Sequence, residues 1–244
     1  MGVGYQVSAL HQMMYLDKAS IQTRAVVKGE DPLLDALGQS FDQITVAKGP
    51  LRTRSPDVAS VLAWRQRLQI KYRDQLGEEL TWDERGTFEA SSDVATSGDA
   101  RFRYVAAVLD QRGPAGVKEL LHQRRPPGEE AGAVFTEADR RGFGGRFPQL
   151  LLGATIWLPF DRNLVIEEPD WDGKMARYGS VLRLLDELSS ARAGIADADP
   201  TVARLGEFAE SSEEVLAAAW QASTTIFRLT TLATAKRLPL WTTG

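Results

Sequence analysis

The sequence predicts an α+β fold that is mainly helical, with a small antiparallel sheet covered by C-terminal helices. The first observation is an alternation at the start of the chain, where Val3, Tyr5 and Val7 are separated by small or polar residues, as in a strand. The second is a central apolar run at 150–160, followed by a polar turn and a further apolar run at 164–166. The third is the number of segments in which apolar residues recur at helical spacing. We therefore expect the sheet to combine N-terminal strands with a central hairpin.

The N-terminal region is predicted to contain a strand pair followed by two helices. The second strand of the pair is expected at 21–27. Asp31, followed by a proline, is a helix start signal, and apolar residues then continue at helical spacing to Ile44. A second start signal at 55–57 precedes another amphipathic helix, which reaches Tyr72.

The middle of the chain contains both the weakest pattern and the clearest boundary. Few large apolar residues occur at 77–98, which indicates a long surface connection. Helical spacing then returns, is broken by the Gly-Pro pair at Gly113, and continues in a short helix before Pro-Pro-Gly at 126–128. We take this tripeptide as the boundary between a mainly helical part, 1–125, and a second part, 126–244, although both could belong to one continuous domain.

The second part is predicted to carry the central hairpin and three helices. The β-branched and aromatic content of 154–157 favours a strand over a helix, and 161–163 supply the polar turn. One helix is expected to begin near Ser180, another at Asp199, and a long last helix near Val215. The last helix has a broad apolar face that must pack on something large, and the sheet is the expected partner.

Composition restricts the class of protein. The 244 residues include 43% hydrophobic and 25% charged residues, which is typical of a globular protein. The formal net charge of −4 argues against a general nucleic-acid coat, because phosphate binding relies on clustered Lys and Arg. There is no cysteine, and only His11 and His122 supply imidazole. Disulfides, thiolate nucleophiles and three-histidine metal sites within one chain are therefore excluded.

The location of the protein is predicted from two further features. The N-terminal segment lacks the charged and apolar regions of a secretory signal. The longest apolar run has 11 residues, fewer than the roughly 20 that a helix needs to cross a bilayer. We therefore expect a soluble, cytoplasmic protein that does not bind a membrane.

The first candidate site is the Arg–Gly segment, residues 140–147, in which Arg140, Arg141 and Arg146 surround three glycines. Glycine permits close backbone approach, and exposed amides beside guanidinium groups can hold a phosphate or a carboxylate. The segment matches the first four positions of an RNA-recognition pattern, but the following residues lack the side chains of the stacking strand. We interpret it either as a flexible loop that enters the hairpin or as a site for an anion or an acidic partner, with RNA as the least favoured alternative.

The second candidate site is the acid cluster at 167–173, which follows the hairpin and contains Asp170, Trp171 and Asp172. Acids at alternating positions before a glycine look like half of a calcium loop, but the twelfth position is Gly179 rather than a bidentate glutamate. Three interpretations stay open: a solvated turn, a metal or acid–base site, and a contact to a basic partner.

Two function classes follow from these candidates. The favoured one is a non-enzymatic intracellular protein, of the accessory or immunity type, that binds another protein through its surface and needs no cofactor. Its predicted partner-binding residues are Arg140, Arg141, Arg146, Asp170, Trp171 and Asp172.

The alternative is a metal- or anion-dependent enzyme acting on a phosphorylated or sugar-like substrate. Its predicted residues are Glu167, Glu168, Asp170 and Asp172 with Arg141 or Arg146. A shared pocket with buried carboxylates would favour the enzyme, and a flat surface around an exposed aromatic would favour binding.

Overall fold

A computed structural model describes residues 2–10, 58–77, 79–80, 82, 88–124, 128–170, 173–202 and 214–243. Its architecture is α+β with a mainly antiparallel sheet, which confirms the predicted fold class. The strand expected at 21–27, the helix expected to end at Ile44 and most of the helix expected from Asp199 lie outside the described residues.

The described elements are strands and helices in mixed order. The strands are β1 (Gly2–Ser8), β2 (Glu89–Ala95), β3 (Ile156–Leu158), β4 (Ile166–Pro169), β5 (Met175–Ser180) and β6 (Leu240–Thr243). The helices are α1 (Val58–Leu76), α2 (Thr96–Lys118), α3 (Gly128–Arg141), α4 (Pro148–Leu151), α5 (Val181–Ala198) and α6 (Val215–Lys236), with a 3₁₀ turn at Gly142–Gly144. The predicted starts of α5 and α6 are confirmed, and Ser180 caps α5 by accepting a hydrogen bond from the Arg183 N–H.

The six strands form one sheet in the order β2-β1-β6-β3-β5-β4, and only the β3–β5 pair is parallel. Both strands of the predicted central hairpin belong to this sheet, but their direct pairing was wrong, because β5 lies between β3 and β4. The hairpin is instead formed by β4 and β5, and hydrogen bonds between Asp170 and Lys174 close it. The first two residues of the apolar run, Leu150 and Leu151, are helical and end α4. Pro148 occupies the first turn of this helix, where its missing N–H costs nothing.

The surface connection predicted at 77–98 was wrong in its second half, where β2 pairs along the whole of β1. The sequence of β2 is mostly polar because it is an edge strand, and Val94 is its one fully buried side chain. Leu80 and Trp82 are also buried. Strand β6, which joins β1 to β3, was not predicted either. The sheet therefore takes strands from both predicted parts, 1–125 and 126–244, whose division stays a prediction.

Helices cover both faces of the sheet. On one face, α2, α5 and α6 pack against side chains such as Tyr5, Trp157 and Leu240. On the other, α1 packs against Ile156, Tyr178 and Trp241. Successive residues of a strand point to opposite faces, so Leu240 and its neighbour Trp241 belong to different cores. C-terminal helices were predicted to cover the sheet, and α5 and α6 do so on the face that carries Tyr5. Each large side chain buried in these cores stabilises the fold by about 1.5–3 kcal/mol.

A buried polar network ties the start of α2 to β1 and α4. The Tyr5 hydroxyl donates to Asp99 Oδ1 at 2.5 Å, and Arg103 Nε donates to Asp99 Oδ2 at 3.0 Å. Arg103 Nη1 also donates to the Leu150 carbonyl at 2.6 Å. Because α4 is only one turn long, contacts of this kind fix its position on the larger elements.

Among the described helices, none combines the length and the apolar character needed to cross a membrane.

Candidate functional site

Asp110, near the middle of α2, holds the Arg–Gly segment in place. Its side chain is only 1% exposed. It accepts hydrogen bonds from the Arg146 backbone N–H at 2.7 Å and from Arg141 Nη1 at 3.3 Å. These two donors lie on either side of residues 142–145. Residues 142–144 form the 3₁₀ turn, and Gly145, which ends it, is extended. We call this feature the Asp110 turn, residues 141–146. The segment leads into α4 rather than into a hairpin.

Arg140 and Arg141, the last two residues of α3, both bind a carboxylate on the same helix. Arg140 makes two hydrogen bonds of 2.7 Å to Glu137, and Arg141 Nε donates to Glu137 Oε1 at 3.1 Å. Hydrogen bonds from Arg140 and Arg141 lower the pKa of Glu137 to about 2. Phe143, in contrast, is a large apolar side chain that remains 45% exposed. The predicted Arg140–Arg141 pair is therefore partly neutralised, and an aromatic side chain stands beside it.

The described acids of the acid cluster lie in β4 and in the turn after it. Glu167 accepts a hydrogen bond from Arg177 Nε at 2.6 Å, and Glu168 forms an ion pair with Lys71 of α1. The Asp170 carboxylate accepts the Lys174 N–H at 2.9 Å, which closes the β4–β5 turn. Trp171 and Asp172 lie outside the described residues. Across the described ranges, no group of three or more acids or histidines is placed to hold a metal ion.

The two candidate sites contact different parts of the fold. Of the described acids, Glu167 and Glu168 form ion pairs with residues of β5 and α1. The Arg–Gly segment instead forms hydrogen bonds with residues of α2 and α5. Arg141 and Arg146 are brought together by their shared acceptor, Asp110. Asp170 accepts the Lys174 N–H within the β4–β5 turn, and Trp171 and Asp172 lie outside the described residues, so the six-residue interface stays a prediction.

Glu187, on α5, is a buried carboxyl group that caps α4. It accepts the backbone N–H groups of Gln149 at 2.9 Å and Leu150 at 3.0 Å, and it is 7% exposed. Burial raises the pKa of Glu187 to about 8, the two N–H donors oppose this rise, and the nearby Asp186 and Asp110 carboxylates add to it. Glu187 is therefore a carboxyl group that titrates near neutral pH inside the protein.

Glu187 lies at an open cleft of about 280 Å³, which we call the Glu187 cleft. The cleft is lined by Arg146, Asn163, Arg183, Asp186, Glu187 and Ser190. Arg146 Nη2 donates to the Ser190 hydroxyl at 3.2 Å. Arg183 contacts Asp161 at 2.9 Å and Asp186 at 3.4 Å. Since the four lining residues of α5 recur at helical spacing, one face of this helix forms a wall of the cleft.

Gln149 connects the cleft to the sheet. Its Oε1 accepts the Ser180 N–H at 2.7 Å, and its Nε2 donates to Asn163 Oδ1 at 3.2 Å and to the Leu164 carbonyl at 3.3 Å. Its own carbonyl accepts the indole N–H of Trp157 at 3.2 Å. Gln149 is fully buried, so these bonds replace the water that the amide would otherwise bind.

Sequence reasoning missed Asp110, Gln149 and Glu187, although each carried a detectable signal. Gln149 interrupts an apolar run, and Asp110 directly follows one. Glu187 lies one turn after Leu184 on the apolar face of a predicted amphipathic helix. A polar residue at a core position is expected to have partners, because its burial is otherwise costly. The identity of those partners depends on the tertiary fold.

The chain matches no family model, no curated protein and no solved structure. Function is therefore inferred from the geometry of the Asp110 turn and the Glu187 cleft.

The shifted pKa of Glu187 predicts a pH dependence of stability. Its ordinary value is 4.5, and in the fold it is about 8. Between these values the folded state keeps a proton that the unfolded state has lost. The free energy of unfolding should therefore fall as pH rises from about 4.5 to about 8, by at most ~1.4 kcal/mol per pH unit, and then level off.

The measurement is urea unfolding of the wild type and of Glu187→Gln at several pH values from about 5 to 9. The amide does not titrate, so we expect a shallower pH dependence in this variant. Histidine titrations are common to both proteins and cancel in the comparison. Equal slopes in the two proteins would show that Glu187 does not carry the effect.

Proposed function

We propose that the protein is a non-enzymatic binding protein that recognises another protein through the Asp110 turn. The observation that carries this proposal is Phe143, which is 45% exposed between two residues tied to the buried Asp110. Arg140, with a side chain 72% exposed, precedes it by three residues. Aromatic residues and arginine are the side chains that most often dominate the free energy of protein–protein binding.

The rigidity of the Asp110 turn supports this proposal. Hydrogen bonds to Asp110 restrain both ends of the turn, at Arg141 and Arg146, and the Gly145 N–H donates to the Gly142 carbonyl within it. Binding costs conformational entropy when a surface segment must become ordered. Phe143 is presented on a segment that is already fixed, so a partner that covers it loses little free energy in ordering the turn.

The partner that suits this surface is a protein segment with an apolar side chain for Phe143 and a carboxylate for Arg140. The proposal includes a cytoplasmic location, which is in keeping with a cysteine-free chain because disulfides are concentrated in secreted proteins.

The alternative of an enzyme based on the acid cluster stays a hypothesis. Glu167 and Glu168 already form ion pairs within the chain, and Asp172 lies outside the described residues.

The proposal is tested by affinity capture from the native cell with wild-type protein, Phe143→Ser and Met175→Ser. Met175 is a matched control, because it is an even more exposed apolar side chain, at 65%, on β5. We expect a stoichiometric partner with the wild type and with Met175→Ser. Its affinity for purified Phe143→Ser should fall at least about 30-fold, which corresponds to a loss of ~2 kcal/mol at a dominant interface residue.

Melting temperatures close to that of the wild type are required of both variants before capture is compared. Arg140→Glu provides a second variant, expected to weaken binding to a partner with an acidic segment. Retention of the partner by Phe143→Ser, or failure of the wild type to capture any stoichiometric partner, would refute the proposal.

A further inference from the structure

Arg146 differs from the other arginines of the Arg–Gly segment in the charge that surrounds its guanidinium group. Arg140 and Arg141 both bind Glu137. The guanidinium of Arg146 contacts the Ser190 hydroxyl and lies 5.2 Å from the centre of the Phe147 ring. Within the described part of the chain, none of its contacts is with a carboxylate. Arg146 therefore brings to the cleft a guanidinium group that forms no ion pair with a described residue.

The position of Arg146 is fixed by its main chain. Its backbone N–H donates to the buried Asp110 carboxylate at 2.7 Å, and the next residue, Phe147, is buried in the core. The side chain can therefore reach the cleft from an anchored backbone. A guanidinium group has a planar set of N–H donors that matches the oxygens of a carboxylate or a phosphate.

We infer that the Glu187 cleft binds a small molecule bearing an oxyanion group, a carboxylate or a phosphate, which Arg146 and Ser190 hold. The volume of about 280 Å³ is close to the lower limit for small-molecule sites and suits a compact metabolite. Asn163 adds an amide to the lining, and Glu187 adds a buried carboxyl group. The other arginine of the lining, Arg183, already contacts Asp161 and Asp186, so Arg146 is the primary ligand for the anion.

Glu187 makes anion binding sensitive to pH. The charged groups around it are Arg183 and Asp186 on α5, Asp110 on α2 and Arg146 at the cleft. Its pKa of about 8 leaves it mainly neutral at pH 7. Ionisation above pH 8 places another negative charge beside the bound anion, so affinity for an anion should fall as pH rises through this value.

This site shares Arg146 with the Asp110 turn but not the two residues on which the proposed protein binding rests, Phe143 and Arg140. Neither Phe143 nor Arg140 lines the Glu187 cleft. Loss of a protein partner in Phe143→Ser should leave anion binding intact, and loss of anion binding in an Arg146 variant is measured without any partner protein.

The experiment is a calorimetric titration of purified full-length protein with inorganic phosphate and, separately, with succinate. The variants are Arg146→Gln and Arg73→Gln. The control removes one positive charge from an exposed position on α1, so the change in net charge is the same. We expect at least one of the two anions to bind the wild type and Arg73→Gln alike. Arg146→Gln should bind that anion at least tenfold more weakly.

The two anions distinguish the sources of the oxyanion group, since preference for phosphate or for succinate identifies the favoured chemistry. Should Arg146→Gln fail to fold, Ser190→Ala takes its place, with amide chemical shifts of Gln149 and Ser190 in the wild type as a direct readout. Absence of binding to the wild type for both anions would overturn the inference. Equal weakening by Arg73→Gln and Arg146→Gln would also overturn it.

If succinate binds the wild type, a second arm of the experiment follows its affinity from about pH 7 to pH 9, a range in which both carboxyl groups of succinate stay ionised. The wild type should lose affinity through pH 8, and Glu187→Gln should keep a constant affinity. A wild-type affinity that does not change with pH, or an equal decline in both proteins, would contradict the assignment of the anion to the Glu187 cleft.

Discussion

Gln149→Ala should lower the free energy of unfolding by about 4–6 kcal/mol. The substitution removes three hydrogen bonds of the side-chain amide, each with a net contribution of ~1 kcal/mol. It also leaves the buried Ser180 N–H without its acceptor, which costs a further ~1–3 kcal/mol. Chemical denaturation of the variant and the wild type at one pH measures this difference.

A matched control for this prediction is Gln69→Ala on α1. Gln69 is partly exposed, and its side chain donates one hydrogen bond to a described residue, to the Leu80 carbonyl at 2.9 Å. We expect a loss of about 1 kcal/mol or less, because water can replace the lost donor. Similar losses in the two variants would mean that the buried amide does not connect α4 to β5 as described.

Gly179→Ala should be destabilising by about 2–3 kcal/mol, because the added methyl group has no room. A Cβ at Gly179 would lie 2.7 Å from Trp157 Cδ1 and closer still to Gln149 Oε1. Both neighbours are buried and hydrogen-bonded, so neither can move without a loss elsewhere. The measurement is again chemical denaturation, with tryptophan fluorescence to report a displaced Trp157.

Gly132→Ala in α3 is the control for the glycine substitution. A Cβ at this position meets no atom within 4 Å, and the backbone is helical. Alanine is favoured over glycine in a helix by up to ~1 kcal/mol, so this variant should be as stable as the wild type or more stable. A wild-type stability for Gly179→Ala would show that the β5 backbone is farther from α4 than the structure places it.

Local sequence signals predicted the first strand and the helices α1, α2, α5 and α6, whereas α3 and α4 were not predicted. Strand β1 followed from its alternation, α5 from Ser180 before an amphipathic stretch, and the kink in α2 from Gly113, whose φ is 65°. Strand pairing was less predictable, because it depends on residues far apart in sequence. Strand β2 is polar owing to its edge position, and no local pattern shows that it lies beside β1.

The candidate site was predicted in part. The arginines of the Arg–Gly segment were identified from their spacing with glycine, and their shared acceptor, Asp110, was not. Gln149 and Glu187 could have been noted as polar residues at apolar positions. Their role in lining or supporting a cleft required the packing of α4 against α5, which no periodicity along one helix specifies.

The place of β6 in the sheet has a consequence for synthesis on the ribosome. Strands β1 and β2 form one half of the sheet, β3, β5 and β4 form the other, and only β6 joins them. Residues 240–243 are translated after all the other described strands. Each half of the sheet therefore has an unpaired strand edge until β6 has been synthesised. Exposed strand edges pair readily with other chains, and contacts between distant residues form slowly. Until β6 is inserted, the nascent chain therefore exposes strand edges that favour aggregation.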